Sequence, residues 1–407
     1  MSWDQHRDVG FAGEQAMSKS AGWRDDEDDE GIDMSWESLP AGTRENYDRQ
    51  RENIKRMFVG GDHDEVPIGP LVGAYAATNH GRSMYEYYTE PEKAIAWQLD
   101  TARVYGIMPY LNWNYSVYWN EDYGGTIRMP TGLMAAPAIL TYPADTVEKA
   151  DKLEPLSPEE LLKGPTMARH VRGVKAVEAY SGKGYKPWQF IYEPFVIGSF
   201  WVSPENMLMW VIQEPDLAHS IMRKVVTHCI NACEALSQLY PGKPFKTSCA
   251  TLLANSSTMS VDQCKEFATD YTKDALERII KIGAGTTGIF YHQCGDHADD
   301  YHLCADMPFP PGSVMHVAYD GPKPFDLLKA AKVYENKCCM MGNTDTILAY
   351  TGTPEQVYDM AYKDAMRYKR FKNGFIASMA CECPPMMSSA NFQAFVQGSR
   401  DGGKMKE

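Results

Sequence analysis

The sequence predicts a single (β/α)8 barrel, in which eight parallel strands form a closed ring inside a layer of helices. The chain has 407 residues, which is enough for one large domain or two ordinary ones. Strand-like runs alternate with helical patterns along most of it, and we count eight such runs. Strands joined by helical crossovers favour a closed parallel barrel, with a larger open α/β sheet as the rival.

The predicted strands follow one another as short runs, and they are Val66–Val72, Ile107–Trp113, Trp188–Val196, Lys246–Thr251, Thr287–His292, Ser313–Tyr319, Lys337–Gly342 and Gly374–Ala380. The clearest helical stretches between them are Pro91–Tyr105, Pro204–Leu239, Val261–Ile282, Pro324–Tyr334 and Pro354–Phe371. Several of these stretches begin with proline, which suits the first turn of a helix. Ordered structure is expected to begin near Thr43, a suitable N-cap for the helix that follows.

Two parts of the chain do not fit the repeating pattern. Residues 1–42 are acidic and poorly periodic, and the run Asp25–Glu30 is typical of a solvated tail. We therefore predict an N-terminal extension over residues 1–42 and a catalytic barrel domain over residues 43–407. Residues 115–145 are rich in Tyr, Trp, Gly and Pro, and we predict that they form an insertion over the barrel mouth.

Composition excludes several classes of protein. The formal net charge of −14 argues against a nucleic-acid binder, which needs a basic surface. The apolar runs are shorter than the ~18 residues that span a bilayer, and the N-terminus lacks the apolar stretch of a signal peptide. A cytoplasmic protein without membrane contact is expected, and a homodimer stays open. Ten cysteines and 23 methionines are a high sulfur content, which would suit an anaerobic lifestyle.

Two short motifs at predicted strand ends indicate a metal site. His292 and Cys294 alternate on the fifth strand, so both side chains point to one side of it. On the eighth strand Cys381 and Cys383 also share a side, with Glu382 opposite. One histidine and two cysteines from strands across the same barrel mouth are a soft donor set suited to Zn²⁺. Three protein ligands leave a fourth position open, as in catalytic zinc sites.

A simpler interpretation of these motifs is also open. A His-x-Cys pair on a strand is commonly a core histidine beside a buried thiol. One thiol of the Cys-x-Cys pair could likewise serve only as a packing residue in the core. His297 and His302 follow closely and could compete as ligands. In a reducing compartment most of the ten cysteines should be small buried hydrophobic residues.

Three segments resemble the uroporphyrinogen decarboxylase superfamily. The stretch CCMMGNTDTILAYTGTPEQVYDMAYKDAM is similar to the family's seventh strand and the helix after it, with its G-N-x-D and G-T-P-E-x-V. The stretch GFIASMACECPPMMSSANFQAFVQGSR resembles the end of the eighth strand, where a Cys is followed by Pro and then Asn. TMSVDQCKEFATDYTKDALERI is similar to the S-P-E-x-F helix, with Val261 in place of Pro. The resemblance extends from about Arg44 to Arg400 and supports the barrel.

The superfamily contains two kinds of enzyme. The decarboxylases carry an R-Q-A-G-R segment whose arginines hold substrate propionates. The equivalent region here reads GPLVGAYAATNHGRSMYEYY, in which only Gly81-Arg82 matches, so decarboxylation is the weaker alternative. The other branch comprises cobalamin-dependent methyltransferases, including methylcobamide:coenzyme M methyltransferases and O-demethylating enzymes of methoxylated aromatics.

The resemblance to the methyltransferase branch implies a specific site. The zinc ligands of the coenzyme M enzymes fall on His292, Cys294 and Cys381, which singles out Cys381 over Cys383. The chain has no D-x-H-x-x-G corrinoid-binding motif, so the corrinoid (cobalamin) is expected on a partner protein. We expect transfer of a methyl group from a small methylated donor, best a methoxylated aromatic, to Co(I). Methyl transfer from the methylcobamide to a thiol is the alternative.

Further residues near strand ends are predicted to assist this chemistry. Glu193 and Asp345 are predicted as catalytic acid/base groups, or as carboxylates that support the zinc ligands. Glu193 could also complete the zinc sphere before substrate arrives. Substrate contacts are predicted for two amides and three aromatic side chains, which are Asn112, Asn343, Trp113, Tyr115 and Trp201. The alternative for the aromatic residues is packing in the barrel wall.

Overall fold

The computed structural model describes residues 41–58, 60–113, 117–133, 135–181, 188–190, 193–243 and 245–405. Its strands are β1 Thr126–Arg128, β2 Ala138–Thr141, β3 Trp188–Phe190, β4 Lys246–Thr251, β5 Ile289–Asp296, β6 Val314–Asp320, β7 Lys323–Pro324, β8 Cys339–Thr344 and β9 Phe375–Met379. Its α-helices are Ala41–Phe58, Gly73–Asn79, Met84–Thr89, Pro91–Tyr105, Val147–Lys152, Pro158–Lys163, Pro165–Ser181, Pro194–Val202, Pro204–Gln213, Pro215–Leu239, Val261–Gln263, Asp270–Lys281, Leu327–Tyr334, Thr346–Thr351, Pro354–Tyr368 and Ser389–Gly402.

The main sheet is parallel and follows the order β3-β4-β5-β6-β8-β9, with the short β7 antiparallel to β6. Two further segments extend it beyond β9, at the first two predicted strands. Ile68 pairs in parallel with Ala377 of β9, and the Met108 N–H donates to the Ile68 carbonyl at 2.8 Å. The ring therefore has eight positions in barrel order, and the predicted (β/α)8 fold is confirmed.

Prolines account for two differences between the predicted and observed elements. The third strand was expected to reach Val196, but a helix begins at Pro194. The predicted helix Pro204–Leu239 is two helices, and the second begins at Pro215. Proline has no N–H for the preceding turn and a φ suited to a first helical turn, so each one starts a new helix.

Side-chain capping sets another boundary. The helix predicted from Pro324 begins at Leu327, because the Asp326 carboxylate accepts a hydrogen bond from the Leu328 N–H at 3.0 Å. Thr43 lies inside the helix Ala41–Phe58 and is not its N-cap. The predicted helix Val261–Ile282 contains a π-helical turn at Cys264–Thr269.

Residues 117–133 and 135–145 form an excursion between the second and third barrel positions, as the insertion prediction required. It carries the antiparallel pair β1–β2. The Asn120 amide donates to the Phe200 carbonyl at 2.8 Å, and the Tyr123 hydroxyl is bonded to His228 at 2.9 Å. The excursion is thus held against the helices that follow β3. The predicted extension over residues 1–42 lies outside the described residues except for its last two.

No single helix of the described residues is long and apolar enough to cross a membrane. Pro194–Val202 and Pro204–Gln213 pass such a test only as a pair, and they are bent by 105°.

Candidate metal centre

The local geometry of β5 places a histidine and a cysteine on the inner side of the barrel. Residues of a strand alternate between its two faces, so Phe290, His292 and Cys294 share one face. The Phe290 and His292 rings are stacked with centroids 6.3 Å apart. His292 is 7% exposed, whereas Cys294 is partly exposed at the C-terminal end of the strand. Barrel enzymes carry their active sites at this end.

The segment after β9 brings the third residue to the same place. The Ala380 N–H donates to the Thr344 carbonyl at 2.8 Å, and the Cys383 N–H donates to the Leu71 carbonyl at 2.9 Å. These bonds hold Cys381 between β8 and the first barrel position. Its Sγ lies 3.5 Å from His292 Nε2 and 3.8 Å from Cys294 Sγ, and all three donor atoms lie within 4.8 Å of one another.

These distances fit a tetrahedral zinc ion. Ligand bonds of about 2.3 Å for sulfur and about 2.05 Å for nitrogen give tetrahedral edges of about 3.8 Å between two sulfurs and about 3.5 Å between nitrogen and sulfur. The observed separations have these values before any metal is considered. The residues therefore fit Zn²⁺ in donor type and in spacing.

The two thiols behave as a coupled pair. The hydrogen bond with Cys381 lowers the pKa of Cys294, and the same bond raises the pKa of Cys381 well above its usual value. The first proton of the pair is thus lost more readily than from an isolated thiol, and the remaining proton is held more tightly. A cation at this position would displace that proton and relieve the pair.

Exposure distinguishes these two thiols from the rest. Eight of the ten cysteines are buried, and the two that are partly exposed are Cys294 and Cys381. Cys383 is buried and is not part of the donor cluster. The expectation that most cysteines serve as packing residues is confirmed.

A second histidine, on β6, supports the ring of the candidate ligand His292. His316 is stacked on His292, with centroids 4.5 Å apart and planes at 29°. Its Nε2–H donates to the Met379 carbonyl at 2.9 Å. Burial lowers the pKa of His316 well below its usual value, so this ring is neutral. Sequence reasoning did not single out His316, although it lies opposite His292 in the β5–β6 register.

Glu382 is a second residue that sequence reasoning left aside. The alternation expected for Cys381 and Cys383 does not hold because β9 already ends at Met379. The carboxylate of Glu382 lies beside Gly73, where an added Cβ would be 3.2 Å from Oε1 and 3.5 Å from Oε2. Its side chain is solvent-accessible, yet protein atoms surround it and burial raises its pKa. Both observations hold if Glu382 lines a recess of the barrel mouth next to Cys381.

The structure places Glu193 away from the donor cluster. Its carboxylate is 1% exposed, and burial raises its pKa well above the usual value. Its charge acts on Tyr291, which points to the opposite side of β5 from His292. Glu193 therefore lies on the outer side of β5, away from His292. Its catalytic role stays a prediction, and this position does not support it.

Asp345 is tied to the end of β8. Its Oδ1 accepts from the Ile347 N–H at 2.9 Å and caps the helix Thr346–Thr351, and the Tyr319 hydroxyl lies 3.4 Å from the same atom. The charge of Cys381 contributes to the raised pKa of Tyr319, whose main cause is burial. The carboxylate is partly exposed and could act at the mouth through Tyr319.

The predicted substrate contacts are mostly engaged in structure. The Asn343 amide is buried and donates to the Ala318 and Phe325 carbonyls at 3.2 and 2.7 Å. The backbone N–H of Asn112 donates to the Gln98 side chain at 3.0 Å. The side chain of Asn343 is thus engaged in structure, whereas these bonds engage only the backbone of Asn112.

The aromatic candidates are also packed inside. Trp201 is fully buried against Tyr123, with ring centroids 4.4 Å apart, and Trp113 is 3% exposed and donates its indole N–H to the Tyr87 carbonyl. Neither indole offers a surface to a substrate in this conformation. Tyr115 lies outside the described residues. The aromatic substrate wall stays a prediction that the two tryptophans do not support.

The competing histidines are occupied elsewhere or are exposed. His297 is buried and hydrogen-bonded at both ring nitrogens, to Asp300 at 2.9 Å and to the Cys294 carbonyl at 3.1 Å. It thereby steadies the backbone of a candidate ligand. His302 is exposed, and neither histidine belongs to the donor cluster among the described residues.

Comparisons with known proteins agree with this architecture. A family model described as uroporphyrinogen decarboxylase (URO-D) matches residues 49–401. A solved methyltransferase from Methanosarcina mazei has a TM-score of 0.66 and 18% identity, covering 86% of this chain and 98% of that chain. At this identity the likeness establishes the fold.

A second solved structure is a B12-independent methionine synthase from Shewanella sp. W3-18-1 in complex with selenomethionine. It covers 83% of this chain and 95% of that chain with a TM-score of 0.43 and 10% identity, and a likeness of this size carries no argument. No curated protein matches the sequence.

Proposed function

This chain belongs to the uroporphyrinogen decarboxylase family, and on that premise we propose that it is a zinc-dependent methyltransferase of a corrinoid methyl-transfer system. The observation that carries the proposal is the donor cluster His292, Cys294 and Cys381, in which the two separations from Cys381 match the edges of a tetrahedral zinc site and all donor atoms lie within 4.8 Å of one another. Three protein donors leave one position for a substrate heteroatom. The likeness of the fold to a methyltransferase from Methanosarcina mazei supports the same reaction class.

The cluster residues and two neighbouring histidines would have different roles. His292, Cys294 and Cys381 would hold the zinc, while His316 keeps the His292 ring in place by stacking and His297 holds the Cys294 carbonyl. When bound, the zinc would supply a Lewis acid that activates a substrate oxygen or sulfur. The corrinoid would arrive on a separate protein that docks over the C-terminal end of the barrel.

We further propose that the methyl group moves from a small methylated donor, best a methoxylated aromatic, to Co(I). The solvent-accessible carboxylate of Glu382 directly follows Cys381 in the chain, and when ionised it disfavours an anionic thiol as acceptor. A neutral ether avoids this repulsion. A methylcobamide:thiol methyltransferase is the alternative because the same zinc site could bind a thiolate.

Decarboxylation of a porphyrinogen is the weaker alternative. A substrate with many carboxylates needs cationic side chains around it. The segment from Gly69 to Tyr88 contains a single arginine, Arg82, and Glu382 would repel such a substrate.

The metal assignment is tested by metal analysis of the purified full chain. Wild type should contain close to one zinc per chain, and Cys381→Ala should contain far less. Cys383→Ala is the matched control, because it removes a buried thiol two residues away that is outside the donor cluster, and it should keep its zinc. Absence of zinc from wild type, or equal zinc in both variants, contradicts the proposal.

The direction of transfer is tested optically. The protein is mixed with Co(I) cobalamin and a methoxyarene, and formation of methylcobalamin is followed by its absorbance. Formation that depends on Cys381 supports demethylation. If methylcobalamin is instead consumed only in the presence of a thiol, the thiol methyltransferase is correct.

A further inference from the structure

A large cavity lies at the end of the barrel opposite the donor cluster. Its volume is about 410 Å³, within the range of small-molecule sites. It is lined by the first residues of β4, β5 and β6, which are Lys246, Ile289 and Val314. The cavity therefore belongs to the N-terminal face of the barrel, away from the face that carries chemistry.

The polar part of the lining is cationic. Arg51 and Lys55 of the helix Ala41–Phe58 line the cavity together with Arg103 and Lys246, whereas none of the described lining residues is acidic. This contrasts with the whole chain, which carries a net charge of −14. Asp100 lies near Arg103 and offsets part of its charge, but it does not line the cavity.

Two of these cations are available to a ligand. Within the described residues neither Arg51 nor Lys55 has a carboxylate partner, and the Arg51 guanidinium lies 5.9 Å from the centre of the Tyr47 ring. Arg51 and Lys55 lie one helical turn apart, so their like charges repel each other, and an anion beside them would reduce this repulsion.

The remaining lining is apolar and partly aromatic. Phe290 and Tyr110 have ring centroids 5.5 Å apart, and Met341 and Ile376 belong to the same small hydrophobic cluster. Such a surface suits a flat ring, because aromatic rings favour tilted or offset contacts at this range. Phe290 also separates the cavity from His292, on which it stacks.

We propose that this cavity binds an organic anion, namely a carboxylate carried on an aromatic body. The carboxylate lies beside Arg51 and Lys55, and the ring packs against Phe290. The site is distinct from the metal centre and does not depend on the proposed methyl transfer.

Benzoate is the probe, with benzamide as the neutral analogue of the same shape. Calorimetric titration of the full chain should show benzoate binding at least tenfold more tightly than benzamide, and added salt should weaken only benzoate. The double variant Arg51→Gln/Lys55→Gln should weaken benzoate at least tenfold. Arg56→Gln is the control on the same helix, since Arg56 pairs with Glu52 and does not line the cavity.

A second control separates this cavity from the barrel mouth. Cys381→Ala should bind benzoate as wild type does, whether or not the chain holds zinc. The proposal is overturned if benzoate does not bind or binds no better than benzamide. It is equally overturned if the double variant binds like wild type, or if Cys381→Ala abolishes binding while circular dichroism shows an intact fold.

Discussion

The substitution Gly398→Ala should destabilise the protein, although the same change in most helices does the opposite. Gly398 lies in the helix Ser389–Gly402, which follows the segment that carries Cys381. An added Cβ would overlap the carbonyl oxygen of Tyr358 and lie 3.1 Å from its carbonyl carbon and its Cα. These are backbone atoms of the helix Pro354–Tyr368, so no side chain can rotate to make room.

The magnitude follows from two opposing effects. Replacing glycine by alanine within a helix stabilises it by about 0.5–1 kcal/mol. Carbon atoms pack at about 3.5–4.0 Å, so the helices must separate by roughly half an ångström or more, and such overpacking costs about 1–3 kcal/mol. Because the added Cβ is fixed to the backbone of one helix and meets backbone atoms of the other, neither side can rotate away, and the cost lies in the upper part of this range. We expect a net loss of about 2 kcal/mol.

Urea denaturation followed by circular dichroism measures this loss. Gly198→Ala is the matched control, since Gly198 lies inside the helix Pro194–Val202 and its added Cβ would meet only side-chain atoms, 3.4 Å from Ile221 and 3.6 Å from Met207. The control should keep or slightly raise the free energy of unfolding. If Gly398→Ala is as stable as the control, the close helix crossing does not limit stability and the reasoning is refuted.

Three further predictions concern charge and the metal. Burial raises the pKa of Asp364 to about 6, so the folded state holds more protons than the unfolded state from about pH 4 to 6, and stability falls as pH rises through that window. Asp364→Asn should therefore be more stable than wild type by about 1–2 kcal/mol at pH 7.5 but equally stable at pH 4, as measured by urea denaturation at both pH values. His316→Phe keeps a ring against His292 but loses the bond to the Met379 carbonyl, and competition with a chelator should show roughly tenfold weaker zinc binding; unchanged affinity would remove His316 from the support of the site. Glu382→Gln should raise kcat/KM for an anionic methoxybenzoate relative to neutral anisole by roughly tenfold, and an unchanged ratio would show that this charge does not select the substrate.

The fold and two of the three candidate donor residues were accessible from local patterns. The alternation of His292 and Cys294 needs only the period of a strand, and the eight alternating runs indicate a barrel without knowledge of any contact. The match of residues 49–401 to the family agrees with the superfamily predicted from the motifs around Asn343 and Cys381.

Local sequence patterns could not show which side chains at the strand ends are buried and which are exposed. Glu193 lies near the end of the predicted strand Trp188–Val196, yet a helix begins at Pro194 and the carboxylate lies near Tyr291 on the outer face of the barrel. Trp201 lies in that helix with no exposed surface, so an aromatic residue near a strand end became part of the wall. Exposure depends on which neighbours cover a side chain, and those neighbours are distant in the sequence.

The sequence by itself determined that a histidine and a cysteine share one face of β5 and that another Cys-x-Cys pair ends the last strand, because strand periodicity is a local property. Spacing alone left both thiols of that pair open, and the family resemblance favoured Cys381. The tertiary structure shows the physical reason that Cys381 joins them. β9 ends at Met379, and long-range hydrogen bonds to Thr344 and Leu71 then direct Cys381 to the donors and leave Cys383 in the core. The same turn brings Glu382 into the mouth, since a chain that leaves its sheet no longer alternates and takes its direction from the contacts around it.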